Sequence, residues 1–544
     1  MLPVLDRSDG PSLRSGFLRH AALRPDAPAI VVRGATSSYG QMEETARRWA
    51  RAIIDARGGR PERVGLFAYR SAVAYTGTLA ALFSGAPYVP LNPTFPVEKT
   101  AAMLAAADLD AVIVDSTCLP QVAKLDALSR LPLLLPESDA PQIPGVSGRV
   151  FDKAELERMA PLAELPPLTP EDIAYLLFTS GSTGAPKGVP VTHGNAVFFM
   201  EFMSRRYGIQ PDDRFSQTFD QTFDLSVFDL FMAWSNGACV YGMTPVELLS
   251  PTKYVNQNGI TVWFSVPSVP AQMGRRGTLQ PNSMPSLRWS LFCGEPLTQR
   301  SAELWQSAAP NSVVENLYGP TELTIACFLH RWDKARSPAM CRNGIVPIGR
   351  PYDGLAAMLV DEHLNPVPDG EIGELCVNGP QTTPGYWRAP EITAERYVQL
   401  PVSEHQTRRF YRTGDLVAKL PEGEYVFMGR ADNQIKVLGH RVELGEIEAV
   451  LRAHPGVEHA VACGWPAVGT TADGIVAFIS GNVDAVDDLL ARARAALPAY
   501  IVPRQIFTVA EMPLNANGKV DRRALKERLP SLMGEASDAA GGSR

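Results

Sequence analysis

The chain has 544 residues, with 51 Lys and Arg against 58 Asp and Glu, a net charge of −7 and an apolar fraction of 45%. That length corresponds to about three to four globular units, and the ordinary apolar and charged fractions exclude wholesale disorder and a collagen-like fibre. The slightly acidic balance lacks a basic stripe that could neutralise phosphates, which excludes nucleic acid as a main partner.

The opening segment MLPVLDRSDGPSLRSGF has no apolar stretch of signal-peptide length, and no run reaches the roughly 18 apolar residues that span a bilayer. A cytoplasmic protein without a membrane partner is therefore expected. Over the first 130 or so positions, short β-type runs alternate with Ala-rich helical patterns. The runs are APAIVV (Ala27 to Val32), VGLFAY (Val64 to Tyr69) and DAVIVD (Asp110 to Asp115). One helical pattern is YGQMEETARRWARAIIDARGG, whose closing glycines read as a helix stop. Alternating strands and helices predict βαβ units and mostly parallel sheets covered on both faces, an α/β fold.

Residues 131–170 are Pro-rich and without periodicity, and are expected to be surface connections. Alternation resumes from about Ile173 to Gly349, and shorter strands and turns follow from Gly370. A second boundary falls near GRADNQIK (Gly429 to Lys436). The expected division is a large core, 1–430, with a β-rich part, then a small mobile α+β domain, 431–528, and a disordered tail, 529–544. The seven cysteines and eight histidines form no CxxC, HExxH or zinc-spaced cluster, so the cysteines read as reduced structural thiols.

The strongest chemical signal is FTSGSTGAPKG, Phe178 to Gly188, after the apolar run IAYLL. A strand that ends in a loop of Gly, Ser and Thr offers N–H groups and hydroxyls to an oligophosphate, and Lys187 adds positive charge. The absence of a GK[ST] sequence separates it from a Walker A loop.

This block closely resembles the phosphate-loop signature of the adenylate-forming superfamily, which includes the adenylation domains of nonribosomal peptide synthetases, acyl-CoA synthetases and luciferases. Further blocks follow in family order and cover nearly the whole chain: GAPYVPLNP, FDLSVFDLF, NLYGPTE, GELCVNGPQTTPGYW, YRTGDL, GRADNQIKVLGHRVELGEIE and NANGKVDRRAL. The resemblance implies that Thr179, Ser180, Gly181, Ser182, Thr183, Gly184 and Lys187 form a mobile loop ordering the β- and γ-phosphates of ATP. It implies that Tyr318 stacks on adenine, with Asn316 at the base edge and Gly294 as the opposite wall. Thr321 would reach the α-phosphate, Glu322 would hold Mg²⁺, and Asp415 and Arg430 would contact the ribose. Lys519 matches the lysine at the meeting point of substrate carboxylate and α-phosphate, where two anions need a positive charge between them. Asp432 matches the hinge about which the small domain turns between adenylation and thioester formation, with Val437 to His440 lining a thiol tunnel in the second state.

By the same resemblance, Asp224 binds the α-ammonium of an amino acid, which a fatty or aryl acid lacks. On the residues alone, Asp224 also reads as a helix N-cap. Leu225, Phe228, Phe264, Leu291, Cys293, Leu317, Ile325 and Ala326 would complete a pocket without an ionic partner, suited to a small neutral side chain, proline-like or aliphatic. No GGxS carrier domain and no HHxxxDG condensation motif is found. The expected enzyme is thus a free-standing amino-acid activating ligase of secondary-metabolite biosynthesis, serving the phosphopantetheine thiol of a separate carrier protein. A small helper protein stays open as a further partner. The alternatives are an acyl-CoA or aryl-acid synthetase, a catalytically silent nucleotide-binding scaffold, and a kinase-like NTPase. Three blocks depart from the usual pattern: LNP for LDP, PQTTPGYW for GxGVARGYL, and Cys293 where a small residue precedes GE.

Overall fold

The pattern opening at Tyr39 folds as a helix over Tyr39–Arg57, and its start is fixed by a reciprocal cap. The Ser38 side chain accepts from the Gln41 N–H at 3.2 Å while the Gln41 side chain accepts from the Ser38 N–H at 2.9 Å. Ser38→Ala should therefore cost about 1 kcal/mol in urea unfolding, and Ser38→Gly only a few tenths. Equal costs would mean that the cap does not set this end.

The computed structural model describes residues 10–139, 143–179, 186–403, 405–432, 434–483, 485–513 and 520–541. The chain divides into two compact units, the first of them running up to Asp432. Among the described residues, the first unit contains two large sheets and a smaller antiparallel one. In one large sheet, parallel strands Ala111–Val114, Val64–Phe67, Tyr88–Leu91 and Ile173–Thr179 lie side by side, and Lys187–Thr192 returns antiparallel at the edge. In the other, Arg214–Gln217, Val262–Ser265, Trp289–Phe292 and Val313–Tyr318 run parallel, followed by antiparallel Phe328–Arg331. Strands of the first sheet read VGLF, YVPL and AVIV, the near-continuous apolar runs that burial on both faces demands. The third sheet is built on Ile372–Asn378, Gln406–Lys419 and Tyr425–Arg430, the β-rich texture read after Gly370.

The second unit carries strands Val457–Gly464, Ile475–Gly481 and Pro503–Thr508, packed with helices Leu444–Arg452 and Val486–Ala496 around their own apolar cluster.

Residues 131–170 are more than surface connections. Strands Leu133–Leu134 and Val150–Phe151 extend the first large sheet, and Leu133, Leu134, Phe151 and Leu156 are buried. Two-residue strands are too short to show a period. The segment expected as a tail from 529 carries the second half of helix Arg522–Gly541, in which Leu525 and Leu529 are fully buried. The seven cysteines form no disulfide. No helix among the described residues is long and apolar enough to cross a membrane.

Candidate active site

Seven of the expected site residues, Asn316, Leu317, Tyr318, Thr321, Glu322, Ile325 and Ala326, lie on one strand and the turn that follows it. Strand Val313–Tyr318 brings Asn316, Leu317 and Tyr318 to its end, residues 319–327 bend back, and Phe328–Arg331 returns antiparallel with Tyr318 opposite Phe328. The bend is tight enough that a Cβ on Gly319 would lie 2.5 Å from Ala326 Cα. Within it, Thr321–Leu323 forms a single 3₁₀ turn. Thr324 and Ile325 then both take positive φ, 58° and 71°. For a β-branched residue this is an outlier that costs of order 1–3 kcal/mol, and such strain persists only where surrounding contacts enforce it.

One consequence of the strain is visible in the bonding. The Ile325 N–H donates to Asp224 Oδ2 at 3.2 Å, and the Thr321 hydroxyl bonds the same carboxylate. Asp224 stands at the N-terminus of helix Leu225–Ser235, yet its side chain makes no capping bond, so the N-cap reading does not describe it. The residue is 7% exposed, and burial pushes its carboxyl up to about 6 against the pull of these hydrogen bonds. The bond to Thr321 is a partner that the expected α-phosphate contact did not anticipate.

Leu225, Phe228, Phe264, Leu291, Cys293, Leu317, Ile325 and Ala326 are all buried and belong to one apolar cluster. Phe264 and Leu291 are register partners on adjacent strands, and the Phe228 and Phe264 rings meet edge to face at 5.1 Å. Gly294 follows Cys293 with φ of 94°, a conformation that favours glycine; a Cβ there would sit 3.6 Å from Leu225 Cδ1. The structure thus gathers a carboxylate and an apolar wall at one place.

A second group lies at the other end of the turn. The Tyr318 hydroxyl donates to Asp415 Oδ2 at 2.5 Å, and Arg430 Nη1 donates to Asp415 Oδ1 at 2.5 Å. Asp415 and Arg430 are cross-strand partners. Arg430 also forks onto both oxygens of Asp432 at 2.6 and 2.7 Å, so the expected hinge residue is tied to the expected ribose contact. Asn316 is 3% exposed; its amide nitrogen donates to the Pro347 carbonyl at 2.8 Å while its Oδ1 is buried without a hydrogen-bond partner. A buried acceptor left in this way suits an amino group such as the one on adenine.

Glu322 is 1% exposed and accepts from the Tyr386 hydroxyl at 2.6 Å, with the Tyr411 hydroxyl 3.3 Å from that of Tyr386. Tyr386 and Tyr411 stand in the PQTTPGYW and YRTGDL blocks, yet sequence reasoning gave them no role. Among the described residues no group of three or more His, Cys, Asp and Glu could hold a metal by itself. One hard carboxylate oxygen suits Mg²⁺ that takes its remaining ligands from phosphate and water.

Thr179 and Lys187 are paired across the two strands that flank the Gly-rich loop, with Thr179 Oγ1 3.5 Å from the Lys187 carbonyl. Ser180, Gly181, Ser182, Thr183, Gly184 and Lys519 lie outside the described residues. A cleft of about 740 Å³ lies elsewhere, lined in part by Arg206, Arg331, Arg350 and Glu424. Three of its arginines pair within the fold, Arg206 and Arg331 with buried Glu315 and Arg350 with Glu424.

The model of the AMP-binding enzyme family matches residues 17–387, and that of the AMP-binding enzyme C-terminal domain matches residues 446–519. An L-proline–[L-prolyl-carrier protein] ligase of Streptomyces coelicolor is 34% identical over 90% of this chain and 91% of its own length. Tyrocidine synthase 3 of Brevibacillus parabrevis is 34% identical over 94% of this chain, which spans only 7% of that protein. Among solved structures, the Vibrio cholerae adenylation domain AlmE, in complex with glycyl-adenosine-5'-phosphate, superposes with a TM-score of 0.85 at 32% identity, covering 97% of this chain and 99% of AlmE. With most of its length matched, and with relatives above 30% identity along nearly all of it, the chain belongs to the AMP-binding enzyme family.

Proposed function

We propose that this protein activates a small neutral amino acid, L-proline or a small aliphatic one, and passes it to the phosphopantetheine thiol of a separate carrier protein. In the first step a carboxylate oxygen of the amino acid attacks the α-phosphorus of ATP and pyrophosphate leaves. In the second the thiol sulfur attacks the acyl carbon of the adenylate, loses its proton, and AMP leaves. The observation that carries this reading is the Asp224 carboxylate, buried at an otherwise apolar wall and oriented by the Ile325 N–H and Thr321. Among the described residues its electrostatic neighbours are Thr321, the Ile325 and Leu225 N–H groups and the like-charged Glu322; a buried negative charge so placed is costly, and the ammonium of an amino acid supplies a counter-charge. The names of the proline ligase and of the glycyl-adenylate complex support the same substrate class.

The residue assignments follow. Asn316 and Tyr318 receive the base, with Gly294 opposite, and Asp415 and Arg430 receive the ribose. Thr321 and the 179–187 segment take the phosphates, and Lys519 in its NANGK block is assigned the charge-stabilising role at the α-phosphate. Glu322 holds Mg²⁺, which when bound offsets charge on the phosphates. Asp432 is the hinge between a core of residues 1–430 and a catalytic lid of 431–528. We place the enzyme in the cytoplasm, with a small helper protein as an open further partner.

The test is amino-acid-dependent pyrophosphate release from ATP and Mg²⁺ across the proteinogenic amino acids, proline analogues, and fatty and aryl acids. A peak on a small neutral amino acid is expected, and release with fatty or aryl acids alone rejects the reading. A pH profile checks the role of Asp224 separately. Its carboxyl is held up to about 6 by burial, so below that pH the free enzyme carries a neutral group that cannot pair with ammonium. The kcat/KM for the amino acid should fall about tenfold per pH unit below that point, and a profile flat down to pH 5 contradicts the assignment.

A further inference from the structure

The strained Thr324–Ile325 turn has to be held by something, and the structure shows what grips it. Gln381, 1% exposed, reaches the turn from the PQTTPGYW block, which departs from the usual family form. Its Nε2 donates to three carbonyls of the turn, those of Leu323 at 3.1 Å, Thr324 at 3.0 Å and Ala326 at 2.7 Å. Its own main-chain carbonyl accepts from Thr324 Oγ1 at 2.7 Å. The strap continues along the same segment: the Thr383 N–H donates to the Glu322 carbonyl at 3.0 Å, and Asn195 Nδ2 anchors it by donating to the Pro380 carbonyl at 2.6 Å.

From these contacts we infer that Gln381 is a positioning residue for amino-acid selection, holding the Thr324–Ile325 turn in its left-handed conformation so that the Ile325 N–H faces Asp224. The three carbonyls flank the Ile325 N–H, which together with the Leu225 N–H and Thr321 orients the carboxylate, and the two pocket residues Ile325 and Ala326 belong to the same turn. Without the amide the carbonyls lose their buried donor, and the turn is free to leave a conformation that β-branched residues avoid. The effect falls on the amino-acid side, because the Gln381 amide bonds the carbonyls around Ile325, whereas Glu322 keeps its bonds to Thr383 and Tyr386, and Tyr318, Asp415 and Arg430 bond to one another. This inference rests on reading Asp224 as the ammonium partner.

The test is steady-state kinetics of the full chain with Gln381→Met, similar in size but without donors, using the amino acid turned over fastest in a panel led by L-proline. The expected result is an amino-acid KM raised about tenfold or more, on the scale of one positioned hydrogen bond, with the ATP KM within about twofold of wild type. An unchanged amino-acid KM, or both KM values rising by the same factor, overturns the inference. Should Gln381→Met fail to fold, Thr324→Val removes the hydroxyl bond to the same residue and is held to the same split. Asp224→Asn in the same assay separates the two ideas. A wild-type amino-acid KM in Asp224→Asn overturns the ammonium reading and this inference with it. A raised KM there beside an unchanged one in Gln381→Met overturns this inference alone.

Discussion

Lys519→Ala lowers amino-acid-dependent pyrophosphate release by roughly 10²- to 10³-fold, the scale of losing one charge-stabilising group at a reacting centre. Thioester formation from supplied aminoacyl-adenylate stays within about threefold of wild type. The asymmetry follows from the chemistry of the two steps. In the first, a carboxylate approaches a phosphate, and no base is needed because the acid is already ionised at neutral pH. What the step lacks is a cation between the two anions, and Lys519 in NANGK is the residue proposed to supply it. In the second step the nucleophile is a thiol and the electrophile a mixed anhydride, so the lysine has no comparable task. Equal loss in both half-reactions would remove Lys519 from the adenylation step and assign it a general role in folding or domain closure.

Much of the fold was legible because its strands are apolar runs and its helical patterns end on explicit stop signals. The runs read at Ala27, Val64 and Asp110 are strands, and the pattern opening at Tyr39 is a helix that ends at the glycines read as its stop, with Gly58 at positive φ. What stayed hidden has physical reasons. Two-residue strands such as Leu133–Leu134 have no period to detect, and a Pro-rich stretch reads as a connection even when it completes a sheet edge. A buried glutamate such as Glu315 looks like a surface residue until Arg206, Arg331 and Tyr207 are seen around it.

The chemistry was legible to the extent that it sits in ordered motifs. FDLSVFDLF holds two aspartates, and spacing alone does not rank them. In the structure, Asp224 faces the Ile325 N–H and Thr321, whereas Asp229 is fully buried on the same helix with its carboxyl held well above the usual range by desolvation. The Thr324–Ile325 strain, the Gln381 strap and the Tyr386 bond to Glu322 had no sequence signal. Backbone conformation at a non-glycine residue, and a glutamine that serves carbonyls some 55 to 58 positions away, leave no local pattern.

Asp224→Asn is the sharper test, because it predicts a loss and a gain from one change. The substitution keeps the shape and an oxygen for the Ile325 N–H and removes the charge. An ammonium brought to that site is then desolvated without a counter-charge, which costs about 3 kcal/mol and raises the amino-acid KM by about two orders of magnitude. The ATP KM stays near wild type. Discrimination against the corresponding acid without an amino group collapses, since wild type rejects that acid by leaving Asp224 unpaired and the variant has no charge to leave. Stability moves the other way. The Asp224 carboxyl titrates near 6 in the fold against an ordinary 3.8, so the folded state binds the proton more tightly between those values and loses stability as pH rises through them. At pH 7 the full cost is in place, roughly 2–3 kcal/mol, and the neutral amide does not incur it. Unliganded Asp224→Asn should therefore unfold at higher denaturant than wild type at pH 7, with the difference vanishing toward pH 4. A variant that loses both stability and activity at pH 7 would make Asp224 a structural residue, and unchanged kinetics would leave it without a role in substrate binding. A residue whose charge destabilises the empty protein and secures its substrate is the signature of a binding site.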